Sequence, residues 1–364
     1  MLDIDRIARL SEQYQTPLED VLFIALNVHG IKLDCEYGRI RIDFRLANSK
    51  LFGRAKERGE LDYFFALPVN PESEFTLVDD VLSLDGMPIG RAINPEEDTS
   101  DLYYFRRKKT ALNFNPNSRS SCAGCRFCYT SRLTPHDEQK VETGADLKIS
   151  LESWMSKHGF ADLSRLVRIA VVTGNYKNSD DLCQFLVECK RILREYRFDG
   201  EIFYLGSQIT TPEQFMRLSE VQPFCICFSL ETFERRDLLR PDKKALGLDD
   251  ARKAMDCALG LGYEVNLSYI VGLEPLRVMD RNMCRFKEHI NRFPIVNTFQ
   301  KHKFQGPTLA DPAADHLEYY LDARRILERL FGSTNMRPLP WENYRSLWFL
   351  TFDREPLHGI RTPY

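Results

Sequence analysis

Residues 224–272 read FCICFSLETFERRDLLRPDKKALGLDDARKAMDCALGLGYEVNLSYIVG. The stretch opens on one apolar run, Phe224 to Leu230, and closes on another, Val265 to Val271. Between them Leu248, Ala251, Met255, Ala258 and Leu259 recur at helical spacing. Strand, helix and strand in that order need a crossover, so the two strands are expected to lie parallel with a right-handed connection. The same rhythm extends outward in both directions. Upstream stand the runs Ala111 to Phe114, Leu166 to Val172 and Ile202 to Leu205, with Leu182, Phe185, Leu186, Cys189, Ile192 and Leu193 marking a second helix face. Downstream stands Ile295 to Phe304. Six runs predict an α/β fold, a partial (β/α)6 barrel of the TIM type over residues 109–310, with its reactive groups at the C-terminal ends of the strands.

The flanks read differently. Residues 1–108 are expected to form a small α+β accessory unit. Thr16, Pro17 and Glu19 give a helix start of the capping-box kind, followed by a stripe of Leu18, Val21, Leu22, Ala25 and Leu26. Ile40, Ile42, Phe44 and Leu46 then alternate with Arg39, Arg41, Asp43 and Arg45, the period of a half-buried strand. Asp85-Gly86 is a hairpin-turn signal, and the stretch from Asn94 to Asp101 reads as a linker. Residues 311–364 are expected to be a helical extension capping the barrel, built on Leu317, Tyr320, Leu321, Ile326, Leu327 and Leu330. Trp341, Asn343, Tyr344, Arg345 and Trp348 beyond it read as core packing or as a cap over a pocket.

Composition excludes several classes of function. At 364 residues and 43% hydrophobic, the chain is long enough for a large core and a smaller unit. With 50 Lys+Arg against 53 Asp+Glu the net charge is −3, no reason to expect binding along a nucleic-acid backbone, and Arg106 to Lys109 reads as a solvated lead-in to the first barrel strand. No stretch reaches the roughly 20 apolar residues of a membrane helix. Asp3, Asp5 and Arg6 break any signal-peptide pattern, so a cytoplasmic protein is expected. Ten cysteines without an export signal point to a reducing compartment.

Three of those cysteines stand apart from the rest. Cys122, Cys125 and Cys128 lie within seven residues, in Cys-Ala-Gly-Cys-Arg-Phe-Cys, just beyond the first barrel run. Three close thiolates can hold three irons of a cubane cluster and leave the fourth iron open to an outside ligand. Gly124 and Ala123 let such a loop wrap closely. The competing reading is a structural zinc site with His136 as fourth ligand, in a non-catalytic binding module. Zinc sites usually offer a second pair of ligands at short spacing, and none follows here. Cys225 and Cys227, two apart in a strand, read as small buried hydrophobes rather than a second cluster.

A three-cysteine loop after the first strand of a β/α barrel resembles that of the radical S-adenosylmethionine (radical SAM) superfamily, and the resemblance runs from about Thr110 to Pro307. Here two residues, not the usual three, separate the first two cysteines. The resemblance implies a [4Fe–4S] cluster on Cys122, Cys125 and Cys128, with S-adenosyl-L-methionine chelating the open iron and Phe127 as the aromatic residue ahead of the third cysteine. It implies further cofactor contacts along the strand ends. Thr173, Gly174 and Asn175 stand where the superfamily holds the amino group. Ser229, Glu231 and Arg240 stand at its fourth-strand site, and Ile270 and Gly272 at the segment that packs on adenine. A flavodoxin or ferredoxin would supply electrons.

Lys301, His302 and Lys303 in the sixth run are too polar for a strand buried on both sides; they read either as a cluster suited to an anionic or polyhydroxyl substrate or as an edge strand protected by charge. The expected substrate is a small polar biosynthetic molecule derived from a sugar, nucleotide or amino acid, the alternative being a peptide or protein.

Overall fold

The computed structural model describes residues 2–46, 62–98, 102–116, 124–129, 141–172, 176, 178–302, 305–306, 309–343 and 345–357. Cys122, Thr173, Gly174, Asn175, Lys303, His136 and Tyr344 lie outside the described residues. The chain divides into two compact units. One comprises Met1–Asp98, Ile270–Met283 and Val296–Thr362; the other comprises Thr99–Tyr269, Cys284–Ile295 and Pro363–Tyr364.

The first unit opens with two helices, α1 (Ile4–Tyr14) and α2 (Leu18–His29). The sequence reading anticipated only α2. α1 carries a side-chain cap, Asp3 accepting from the Arg6 N–H at 2.7 Å. The capping box expected at Thr16 does not form: Pro17 is the N-cap residue, and the Thr16 hydroxyl donates back to the Tyr14 carbonyl. Proline at this point offers a preset φ instead of a side-chain acceptor. Val21 to Leu26 of α2 are fully buried, and the Phe23 ring packs against Phe44, Tyr63, Phe65 and Phe349.

Phe44, Tyr63 and Phe65 stand on a five-stranded sheet formed by β1 (Arg39–Leu46), β2 (Asp62–Pro68), β3 (Phe75–Val78), β4 (Val81–Leu84) and β5 (Met87–Glu97), in the order β2-β1-β5-β4-β3. The Asp85-Gly86 turn occurs as read, with positive φ at both residues, but β1 is a half-buried strand only from Asp43 onward: Arg39 and Arg41 are buried too, paired with Asp98 and Glu96. The expected linker is a correction. Asn94 to Glu97 continue β5 and pair with β1, Ile40 opposite Glu97 and Arg41 opposite Glu96. Pro95 sits at a register shift beside Asn94, whose φ is +52°, and a bulge is where a strand tolerates proline.

The second sheet opens with β6 (Tyr103–Arg106) and β7 (Ala111–Phe114), an antiparallel hairpin. After it helices and strands alternate: α3 (Gly144–His158), β8 (Arg168–Val172), α4 (Ser179–Glu195), β9 (Glu201–Gly206), α5 (Pro212–Arg217), β10 (Phe224–Glu231), α6 (Pro241–Ala245), α7 (Leu248–Gly260), β11 (Glu264–Val271), α8 (Leu276–Phe286) and β12 (Ile295–Thr298). The strand order β12-β11-β10-β9-β8-β7-β6 follows the chain, and the pairings from β7 to β11 are parallel. This is the sheet of a partial (β/α)6 barrel with one antiparallel strand added at its edge. All six helix-face residues read in α4 are buried, as are Ala251, Met255 and Ala258 of α7. One face of the sheet carries the cluster Ala170, Phe203, Cys225 and Cys227, with Val172, Leu205 and Ile295 packed on it. The two cysteines are packing residues there, as read.

The sixth run is shorter than its sequence. β12 stops at Thr298, and Gln300 to His302 are not strand. The final helix α9 (Leu317–Phe331) belongs to the first unit. Its Arg324 pairs with Asp20 at 2.9 Å, both essentially unexposed, while the Asp20 carboxylate also accepts the N–H groups of Phe349, Leu350 and Thr351. Every lone pair of this buried carboxylate is thus engaged, the condition for burying a charge. No helix among the described residues is long and apolar enough to cross a membrane.

Candidate metal centre

β10 ends in a left-handed residue. Glu231 has φ +64°, and the register with β11 shifts between Ser229 and Glu231, so the strand is bent at the point where its carboxylate emerges. A non-glycine residue persists in this conformation only where its surroundings over-determine it. Lys243, in the first turn of α6, places its Nζ 2.9 Å from the Glu231 Oε1, with both side chains largely buried. Arg236 lies between the two. Its guanidinium donates to four carbonyl oxygens, those of Leu230 (3.0 Å), Thr232 (3.1 Å), Lys243 (2.6 Å) and Leu246 (2.8 Å). One rigid cation therefore laces the strand end to α6 and fixes everything between.

The cysteine loop docks on this laced segment. The Arg126 N–H donates to the Leu238 carbonyl at 2.9 Å, and the Arg240 N–H points at the Cys125 Sγ at 3.5 Å. Gly124, at φ +111°, lies against Arg240 so closely that a Cβ there would sit 3.1 Å from the Arg240 Cβ. Glycine is thus required twice, by the backbone angle and by the approach. The Cys128 N–H donates to the Cys125 carbonyl at 3.2 Å, curling the loop so that both residues belong to one turn. Burial pushes the Cys125 thiol up; the Lys243 charge and the Arg240 N–H oppose it, while Cys128 and Glu231 add to it. Two thiols, a lysine and a carboxylate therefore share one electrostatic neighbourhood.

The remaining candidates are placed as follows. Ser229 is buried on the strand, in register with Ser268 of β11. Arg240 is 4% exposed, its Nε 3.4 Å from Asp242 and its charge felt at the buried Tyr204 hydroxyl at the end of β9. Phe127 is half-buried in the cysteine loop. Tyr176 and Gln208 tie the loops after β8 and β9 together, each reaching the other's side chain or backbone at 3.1 and 2.9 Å. Ile270 and Gly272 belong to the other unit, where Gly272, at φ +115°, leaves no room for a Cβ beside Phe299 and Tyr320.

Lys301 and His302, also in that unit, differ in their surroundings. Lys301 is exposed and pairs with Asp315. His302 is buried, and burial, with Arg39 and Arg345 nearby, pushes its pKa down to about 3, so it is neutral at pH 7. The sequence reading missed Arg236 and Lys243 as site-forming groups, since a run of charges after a strand looks like solvated surface.

No protein-family model matches the chain, and no curated protein matches it. Solved structures do. The chain is similar to SuiB of Streptococcus suis bound to S-adenosylmethionine, at 14% identity and a TM-score of 0.41, over 63% of this chain and 49% of that one. It is similar to coproporphyrinogen III oxidase of Escherichia coli, described as a radical SAM enzyme, at 13% identity and a TM-score of 0.39, over 57% of this chain and 50% of that one. A third likeness is to methylornithine synthase, at 13% identity and a TM-score of 0.37, over 69% of this chain and 78% of that one. The chain spans about half the length of the first two. Likeness at this level fixes neither reaction nor substrate, which rest on the residues themselves.

Proposed function

We propose that the protein is a radical SAM enzyme in which Cys122, Cys125 and Cys128 hold a [4Fe–4S] cluster beside S-adenosyl-L-methionine. The observation that carries this reading is the docking of the cysteine loop on the end of β10, with an N–H aimed at the Cys125 sulfur and glycine at the point of closest approach. The residues fit the group: soft thiolate donors, a backbone donor to sulfur, a neighbouring cation and a glycine cradle suit an iron–sulfur cluster. When bound, the cluster and its ligand supply reductive cleavage of a carbon–sulfur bond, giving a 5′-deoxyadenosyl radical that takes a hydrogen atom from substrate.

The chain's own residues bind and orient. Glu231 and Ser229 offer oxygen acceptors and a hydroxyl at the strand end, suited to ribose hydroxyls or an ammonium group. Arg240, buried and rigid, offers a planar fork for the ligand's carboxylate. Thr173, Gly174, Asn175, Phe127, Ile270 and Gly272 complete the proposed cofactor contacts. A flavodoxin or ferredoxin delivers the electron. The substrate is a small polar biosynthetic molecule. His302, being neutral, contributes hydrogen bonds rather than charge to any substrate contact, and Lys301 and Lys303 remain the proposed cationic groups.

The test is anaerobic purification with metal analysis. The chain should carry about four irons and release 5′-deoxyadenosine on reduction with dithionite. Cys125→Ala should abolish that release. A colourless protein holding one zinc, or a fully active Cys125→Ala variant, sinks the reading.

A further inference from the structure

One face of the parallel sheet changes character from layer to layer. Ala170, Phe203 and Cys225 are paired across β8, β9 and β10, and one step higher so are Val172, Leu205 and Cys227. Paired residues of a sheet share a face, and alternate residues of a strand return to it. Asn266 of β11, opposite Cys227, and Ser268, opposite Ser229, therefore stand on this same face. Tyr269 takes the other one, where its ring stacks on Phe233, which in turn stacks on Phe286. A packed β/α barrel fills such inward positions with Val, Ile and Leu, and here the upper positions on β10 and β11 are polar.

The polar atoms are deeply buried and unsatisfied. Asn266 is 0% exposed and Ser268 2%, and neither the Asn266 Oδ1 nor the Ser268 Oγ has a hydrogen-bond partner among the described residues. The hydroxyl of Ser207, the residue that follows β9, is buried in the same state. The Asn266 amide is fixed from its nitrogen, which donates to the Phe293 carbonyl at 3.3 Å. The flipped amide would set oxygen against oxygen, so the group left over is an acceptor. A buried polar atom without a partner destabilises a fold, and alanine for the serine would remove the penalty. Unsatisfied atoms gathered toward the C-terminal end of one sheet suit a ligand that supplies the missing hydrogen bonds.

The chemistry of the two upper layers narrows that ligand. Val172, Leu205, Cys227 and Asn266, and above them Ser229 and Ser268, include no carboxylate, ammonium or guanidinium. A charge seated against them would be buried without a counter-charge. A neutral group that both donates and accepts matches a serine hydroxyl and an amide oxygen. We propose that Asn266 and Ser268 bind a neutral hydroxyl or amide group of the substrate and so select which part of it lies beside the cofactor. This rests on the reading of the chain as a radical SAM enzyme with Ser229, the neighbour of Ser268 in register, at the cofactor. The two residues lie two apart on one strand, a rise of roughly 7 Å, so one ring carrying two polar groups reaches both.

The test is crystallographic, on the full chain carrying its reconstituted cluster and S-adenosyl-L-methionine, with crystals soaked separately in erythritol, acetamide and sulfate. Erythritol or acetamide should be found hydrogen-bonded to both Asn266 and Ser268, the first result naming a hydroxyl group and the second an amide. Sulfate should leave the pair untouched. In solution, Ser268→Ala should weaken binding of the seated probe about fivefold, read by ligand-observed nuclear magnetic resonance. Its urea midpoint should not fall, because the hydroxyl has no protein partner to lose. Asn266→Leu should weaken the probe as much, and Ser268→Ala keeps the proposal open to test where that variant fails to fold. Sulfate on the pair, S-adenosyl-L-methionine itself on the pair, or neither neutral probe there in any soak overturns the assignment. So does a lowered urea midpoint in Ser268→Ala, which would make the hydroxyl part of the fold. A native chain that binds no iron overturns the reading of the cysteines instead, and the same soaks of that iron-free chain still decide what Asn266 and Ser268 hold.

Discussion

The strands of the parallel sheet end in charge at both extremities, and the two ends are built differently. At the N-terminal end Arg168, Glu201 and Glu264 are the first residues of their strands, and Arg292 joins them from the loop before β12. Arg168 meets Glu201 at 2.5 Å, and Arg292 bridges Glu201 and Glu264. Glu201, Cys225 and Glu264 bring possible ligand atoms within 4.8 Å of one another, the spacing of a metal site. Yet the two carboxylates there face two guanidinium groups, so the donor atoms that a cation would need are already committed. At the C-terminal end the cations are anchored from behind. Arg236 spends its donors on four backbone carbonyls, Lys243 pairs with Glu231, and the Arg240 N–H points at the Cys125 sulfur. Clustered ligand atoms therefore mean less than what holds them: at the N-terminal end the carboxylates are committed to guanidinium partners, and at the C-terminal end a backbone-pinned arginine fixes the segment on which the cysteine loop docks.

The largest expected effect breaks the closed end. Glu201→Ala removes the shared partner of Arg168 and Arg292 and so breaks a buried ion pair from one side, at a cost of about 3–5 kcal/mol. Urea unfolding should show that loss while iron content per folded chain stays native. Iron lost in proportion to the variant's presence, with stability kept, would reverse the roles assigned to the two ends. Arg236→Gln should cost somewhat less, on the order of 2–3 kcal/mol, since some of the freed carbonyls can turn to water. Here the sharper readout is iron content, which should fall even in the fraction that folds. A variant that folds poorly yet keeps a full complement of iron would make Arg236 a staple of the fold alone.

How far the sequence foretells this depends on the kind of signal. Alternating apolar runs locate β7 to β11 within a residue or two, because a strand covered on both faces must be apolar along its length. The short Asp85-Gly86 turn is equally legible, since few residues accept two positive φ angles in succession. The stretch from Asn94 to Glu97 misleads because asparagine, proline and glutamate are depleted in strands on average, and only the pairing with β1 turns them into strand. In the candidate site, Cys125 is singled out by spacing, and Glu231 and Arg240 only by the resemblance. Arg236 and Lys243 are not. Arg235, Arg236, Arg240, Lys243 and Lys244 form one basic stretch, and nothing local distinguishes the arginine that donates to carbonyls from a neighbour in water. That difference arises only when the strand end bends back over α6, a tertiary event.

The smallest effect tests whether the face between the two ends is inert. Cys225 is fully buried in the cluster with Ala170, Phe203 and Cys227, and its sulfur lies within 4.8 Å of carboxylate oxygens of Glu201 and Glu264. Removing one sulfur atom from such a position leaves a cavity of about one methyl group, worth about 1 kcal/mol. Cys225→Ala should therefore unfold at slightly lower urea, keep its iron, and release 5′-deoxyadenosine at the native rate. The argument for inertness is positional. Cys225 opens its strand near Phe224, six residues before Glu231, and at about 3.3 Å of rise per residue this places it roughly 20 Å from the strand end where Cys125 docks. A cluster ligated by Cys125 cannot span that distance. Loss of iron in Cys225→Ala would mean that a second metal site exists at the N-terminal end, and that the ion pairs there rearrange to receive it.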